Sequence, residues 1–320
     1  MTDDRRQKTD TWGRIEMSKE DGQVEQPALG PKIPGGVYLC QVSETVSCGA
    51  CCGLYNVTDL SRDGLHAMLA RRTRRFFSIT GQDLDAVLSF RKWVEDREPQ
   101  QRPFAEFHHC PYLGLIGPNL SRPGCLLHPL GNNGIDLRGI SDYGGFACRS
   151  YFCPTHDRLS ADIKLLIQKA ARDWFEYGLM ITEASLVQAV LDAAGHATFC
   201  REGPPDPDPA HCTDIIRELM DLKRCWPYRS DPAIGLIHYF FNDKLYARAP
   251  VAYAAIDAEP SPYDRIFQEL GSDFGSIKEL REAEAVVEEL LNRMSSTFAP
   301  RIFRSFSSIR ASLADSSGNT

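Results

Sequence analysis

The chain has 320 residues, 42% of them hydrophobic and 25% charged, with a formal net charge of -7 and a pI near 5.7. That size accommodates one large or two medium globular domains, and the acidic balance excludes a dedicated nucleic-acid binder, which carries a basic excess or stripe. No apolar run reaches the roughly 18 residues of a membrane span, and the polar start of the chain holds no apolar export core.

Eleven cysteines without an export signal point to a reducing, cytoplasmic setting, in which clustered thiols bind metal more often than they pair as disulfides. Residues 1–35 are charged, poor in large apolar side chains and close on Pro31, Pro34, Gly35 and Gly36, the composition of a disordered leader. Val37 to Val42 is a short β-prone run. It delivers the chain to Cys48-Gly49-Ala50-Cys51-Cys52-Gly53, three thiols in five residues. Glycines on both sides let the backbone fold tightly around an ion, which suits metal ligation better than core packing.

Ser61 is placed to cap a helix whose apolar face is Leu65, Met68 and Leu69. It ends in Arg71, Arg72, Arg74 and Arg75, cations that complement a helix C-terminus and read as a solvated face. Thr80, with Asp83 three residues on, marks a second helix through Val87 and Val94 to about Arg97. From Cys110 to Pro154 eight glycines break any helical period while four cysteines are spread through the interval. So long a loop-rich stretch needs an ordering element, and a metal centre supplies one.

Beyond Pro154 the helical period returns. Ser160 caps a predicted helix carrying Ile163, Ile167 and Trp174 and ending at Gly178; Thr182 caps another carrying Leu186 and Val190 and ending at Gly195, the two forming an antiparallel hairpin. A proline-rich linker occupies about 201–210, a further helix begins near Thr213, and a last one begins at Ser276 with Glu279 completing a capping box. Residues 234–246 are apolar enough to be buried, as helix or strand. The predicted architecture is mainly α, an irregular cysteine-rich metal-binding lobe (36–157) packed on a helical lobe (158–297), with a flexible tail at 298–320.

The candidate ligands are Cys48, Cys51, Cys52, Cys110, Cys125, Cys148 and Cys153, with Cys40 at the margin. With His128 the seven thiols make eight donors, enough for two tetrahedral zinc sites. Four thiolates also suit a [4Fe–4S] cluster, and the Cys-Pro pairs at Cys110 and Cys153 recur at iron–sulfur ligands, which favours iron–sulfur over zinc. The side chains of Cys51 and Cys52 diverge, so they serve two metals, or one ligates while the other supports. His108 and His109 read as surface or supporting groups, the loop from Gly131 to Gly139 as turns rather than an anion nest around Arg138, and Cys200, Cys212 and Cys225 as buried or idle thiols. No serine-hydrolase elbow, zincin, phosphate-loop or radical-enzyme motif is present, and no catalytic residue stands out.

Cys48-Gly49-Ala50-Cys51-Cys52-Gly53, then Thr58-Asp59-Leu60 entering a helix, then Cys110-Pro111-Tyr112-Leu113 and Cys125 near a proline, resembles the YkgJ-type cysteine-cluster family. That family is described as zinc- or iron-chelating and includes flagellin lysine N-methylase-like proteins. The resemblance covers about residues 40 to 155. Where the family places Arg-Pro and Cys-Arg soon after its fourth cysteine block, here Arg122-Pro123 precedes Cys125 and Cys148-Arg149 follows it by 23 residues. The expected function is a redox, sensing or partner-binding role for a metal centre. The alternatives are an iron–sulfur-dependent transferase or oxidoreductase acting on a protein substrate, with methylation implied by the resemblance, and a structural zinc module.

Overall fold

The computed structural model describes residues 33–79, 83–99, 101–103, 109–195, 209–230 and 248–298. The protein is mainly helical. In chain order come α1 (Arg62–Phe77), α2 (Leu84–Arg97), the antiparallel hairpin β1 (Leu113–Ile116) and β2 (Arg122–Cys125), α3 (Gly144–Ser150), α4 (Thr155–Arg158), α5 (Ala161–Ala170), α6 (Trp174–Ile181), α7 (Ala184–Ala193), α8 (Pro209–Cys225), α9 (Asp264–Leu270) and α10 (Ile277–Phe298). Among the described residues no helix is long and apolar enough to cross a membrane.

Local capping chemistry sets the helix starts. Ser61 Oγ accepts the Gly64 amide at 3.0 Å, Ser160 Oγ the Ile163 amide at 3.4 Å, and Ser276 Oγ the Glu279 amide at 3.3 Å, each filling one of the unpaired amides of a first turn. The Glu279 carboxylate reaches back to the Gly275 amide, one residue ahead of the usual capping-box partner. Helix α2 is capped by Asp83, which accepts the Ala86 amide at 2.8 Å; Thr80, expected to begin it, lies outside the described residues.

Four sequence expectations are corrected. The helix expected from Ser160 to Gly178 is two: α5 stops at an extended Ala171, and Asp173 caps α6 by accepting the amides of Phe175 and Glu176 at 2.9 and 3.1 Å. Gly178 sits inside α6, where a Cβ would come within 2.0 Å of the Tyr55 hydroxyl oxygen, so this glycine marks a close approach rather than a helix end. Thr182 closes α6, donating to the Gly178 carbonyl at 2.9 Å, and α7 follows Glu183. Helix α8 begins at Pro209, ahead of Thr213, with proline at the position whose missing amide costs nothing. The β-prone run at 37–42 contributes an isolated bridge, Gln41 to Ser47, while the hairpin forms inside the stretch that reads as loop. There Gly124 leaves room for Ile116, whose Cδ1 would stand 2.2 Å from an added Cβ.

The end of the expected leader is tied down. Pro34–Gly36 forms a 3-10 turn. Lys164 Nζ donates to the carbonyls of Gly35 and His156, both at 2.8 Å, Gln168 donates to the Tyr38 carbonyl at 2.7 Å, and the Tyr177 hydroxyl donates to the Leu39 carbonyl at 2.9 Å. Buried apolar clusters also cross the expected lobe boundary. Leu39 and Val46 join the core of α5 to α10, and Leu54, Leu65, Leu69 and Leu113 pack with Trp174, Phe175 and Leu179. A third cluster joins Phe76, Phe90 and Val94 to Tyr112, Leu126 and Leu127. A buried ionic knot ties the helical side together: Glu183 meets Lys223 at 3.2 Å and Arg248 at 2.6 Å, and Arg248 meets Glu269 at 3.0 Å. Residues 201–208 of the proline-rich linker, residues 234–246, residues 299–320 of the terminal tail, His108 and Cys200 lie outside the described residues.

Candidate metal centre

The backbone gathers eight cysteines into two groups. In the first, the Gln41 to Ser47 bridge sets Cys40 against Cys48, whose amide donates to the Cys40 carbonyl at 2.8 Å. Cys51 follows on the 3-10 turn Ala50–Cys52, and Cys153 opens the turn that leads into α4. In all six pairings among Cys40, Cys48, Cys51 and Cys153, the two sulfurs are near enough for the charge of one to raise the pKa of the other.

In the second group the Cys110 amide donates to the Cys52 carbonyl at 3.0 Å, and the hairpin register sets Leu113 opposite Cys125. Cys148 lies on α3 with its sulfur 3.0 Å from Ser141 Oγ. Cys52 feels the charges of Cys110 and Cys125, Cys110 those of Cys125 and Cys148, and Cys125 that of Cys148. The groups meet at the adjacent pair, where the Cys52 thiol donates a hydrogen bond to the Cys51 sulfur; that bond lowers the Cys51 pKa and raises that of Cys52.

Burial opposes ionisation at most of these thiols. It pushes Cys40, Cys48 and Cys110 well above the ordinary range, and Cys125 and Cys153 up to about 11. Backbone amides oppose that effect in a repeated pattern, in which the sulfur accepts an amide two residues on. Cys48 takes it from Ala50, Cys110 from Tyr112, Cys125 from Leu127 and Cys153 from Thr155; His128 and His156 add third-residue amides to the last two. Sulfurs buried yet ringed by aimed amides are poor thiolates alone and good ones beside a cation, which reverses the local electrostatics. No disulfide joins the described cysteines. Among the described residues, no three Cys, His, Asp or Glu side chains are grouped so as to hold one ion.

Side chains brace both groups. Arg72, expected on a solvated face, is fully buried while Arg71, Arg74 and Arg75 are exposed. Its guanidinium binds both oxygens of Glu98, donates to the carbonyls of Cys110 and Leu113 at 3.1 and 3.3 Å, and contacts His109 Nε2. With Nε2 accepting, His109 carries its proton on Nδ1, which donates to the Gly53 carbonyl at 2.7 Å. This chain of contacts bolts the Cys52-Gly53 turn to the Cys110 loop. On the other side His156 Nδ1 lies 3.5 Å from the Cys153 sulfur.

His128 has other duties. Its Nδ1 accepts the Leu130 amide at 3.0 Å, and burial, reinforced by the Arg138 charge, lowers its pKa to about 4. Arg138 is held by Asp136 at 2.8 and 3.0 Å, as a turn-rich loop requires. Cys212 is buried and Cys225 exposed, both on α8. Two surface clefts of about 480 and 470 Å³ are lined by residues of α10 and by residues around Arg62 and Asp173, with no cysteine in either lining.

Sequence reasoning left Cys40 at the margin and passed over the bracing by Arg72, Glu98 and His109. The Cys40 signal was a hairpin-length gap of seven residues before Cys48. No family model matches the chain, and neither a curated protein nor a solved structure matches it. The resemblance to the YkgJ-type family therefore rests on the cysteine motif alone.

Proposed function

We propose that this chain is a metal-binding cysteine-cluster protein, with an iron–sulfur centre favoured over zinc, serving a redox, sensing or partner-binding role. The observation that carries the reading is the gathering of Cys40, Cys48, Cys51, Cys52, Cys110, Cys125, Cys148 and Cys153, five of them receiving backbone amides, with no disulfide among them. A buried apolar thiol needs no such amides, whereas a metal-bound thiolate is stabilised and tuned by them. The soft donor set fits both iron–sulfur and zinc, and the prolines after Cys110 and Cys153 tip the choice.

Anaerobic purification followed by metal and sulfide analysis tests this. Brown protein containing iron and acid-labile sulfide, with visible absorbance bleached by oxidation, is the expected result. Colourless protein with stoichiometric zinc would reassign the centre as structural, and protein that neither retains nor takes up metal would remove the reading altogether.

A further inference from the structure

We infer that the protein holds two separate four-cysteine metal centres, Cys40, Cys48, Cys51 and Cys153 in one and Cys52, Cys110, Cys125 and Cys148 in the other, divided at the Cys51-Cys52 peptide bond. This rests on the metal-binding reading above and adds the number of centres, the membership of each, the recruitment of Cys40 and the exclusion of His128.

Backbone geometry carries the partition. Cys40 and Cys48 are joined across the Gln41 to Ser47 bridge, and Cys52 and Cys110 by a direct amide-to-carbonyl bond, while the hairpin register brings Cys125 beside the Cys110 turn. Packing agrees. Cys48 and Cys153 lie against the core formed by α5 to α10, whereas Cys52, Cys110 and Cys125 lie in or against the cluster of Phe76, Phe90 and Tyr112. The amides accepted from two residues on reach Cys48 and Cys153 in one group and Cys110 and Cys125 in the other, while Cys51 accepts its own amide and that of Cys52.

Each group then contains two sulfurs seated in such turns, one sulfur of the adjacent pair and one partner brought from elsewhere, Cys40 or Cys148. The adjacent thiols, expected to diverge, are instead hydrogen-bonded to each other where the groups meet; Cys51 lies beside Cys40, Cys48 and Cys153 and Cys52 beside Cys110 and Cys125, so the pair feeds different centres. Four thiolates complete either a tetrahedral zinc site or a [4Fe–4S] cluster without a histidine, and the Nδ1 of His128 is already engaged by the Leu130 amide.

Metal stoichiometry of full-length variants separates the possibilities. Cys40→Ser, Cys153→Ser, Cys110→Ser and Cys148→Ser should each lower bound metal twofold. Cys40→Ser combined with Cys153→Ser should lose no more than that half, whereas Cys40→Ser combined with Cys148→Ser should lose essentially all. His128→Ala should retain the full amount. Should any serine variant misfold by circular dichroism, cobalt(II) titration of the metal-free wild-type chain supplies a second measure, with sulfur-to-cobalt charge-transfer absorbance expected to saturate at two equivalents. Full metal retention in Cys40→Ser, complete loss in any single variant, or saturation at one equivalent would overturn the partition while leaving metal binding intact. A wild-type chain that binds no metal would instead remove the function proposed above.

Discussion

Replacing Arg72 by Met should be among the most damaging single changes outside the cysteines. Its side chain is fully buried, and its removal takes from the Glu98 carboxylate, 5% exposed, the guanidinium that binds both of its oxygens. Removing one member of a buried ion pair costs ~3–5 kcal/mol, because the remaining charge stays desolvated. For a domain of this size that is a fall in melting temperature of roughly 6–20 °C. Arg71→Met is the internal control. Arg71 bonds the same carboxylate, but its side chain is 44% exposed, so its loss should cost under ~1 kcal/mol. Both variants should be unfolded by heat and by urea in metal-free form, which keeps metal loss out of the comparison. Equal shifts in the two variants, or a shift under about 2 °C for Arg72→Met, would refute the claim that burial rather than pairing sets the cost.

Gly178→Ala should destabilise by ~1–3 kcal/mol, since the new methyl would overlap the Tyr55 ring; urea unfolding should show partial recovery when Tyr55→Phe removes the colliding oxygen. Glu183→Gln should cost ~3–5 kcal/mol by setting a neutral side chain against buried Lys223 while Arg248 keeps Glu269, and a melting point within 2–4 °C of wild type, about 1 kcal/mol, would argue against that knot. His128 should titrate near pH 4 by NMR rather than near the ordinary 6.5. The unfolded chain binds that proton between these values and the folded chain does not, so the stability due to His128 is complete above pH 6.5 and is lost as pH falls to 4. His128→Gln should flatten that part of the stability profile; an unchanged slope would show that His128 does not set it.

Much of the helical scaffold was legible because its signals are local. Ser61, Ser160 and Ser276 cap where their spacing to the apolar face says they should, and the capping box at Glu279 needs only four consecutive residues. The errors arose where a distant partner decides. Gly178 has the composition of a helix end, but its role comes from Tyr55, which is 123 positions earlier in sequence. Arg72 looks like its exposed neighbours until Glu98 and the Cys110 carbonyl close over it. Seven candidate thiols, Cys125 among them, were visible as a density in the sequence, yet their division into two groups and the position of Cys40 were not, because the β-bridge that sets Cys40 against Cys48 and the hairpin that sets Cys125 beside the Cys110 turn are weak signals in a glycine-rich stretch.

The three contacts that fix residues 35–39 share one property: Lys164, Gln168 and Tyr177 all grip backbone carbonyls, those of Gly35, Tyr38 and Leu39. Every residue type offers the same carbonyl, so this segment can drift in sequence without releasing its hold. Gly35, Gly36 and Leu39 are the exceptions: both glycines have φ in the left-handed region, at 60° and 73°, an added Cβ at Gly35 would meet the His156 carbonyl oxygen at 2.1 Å, and Leu39 is buried in the core. The placement of Cys40 is thus encoded more than a hundred residues away, in α5 and α6. A survey of tolerated substitutions should find Lys164, Gln168, Tyr177 and Gly36 constrained and positions 37 and 38 more permissive.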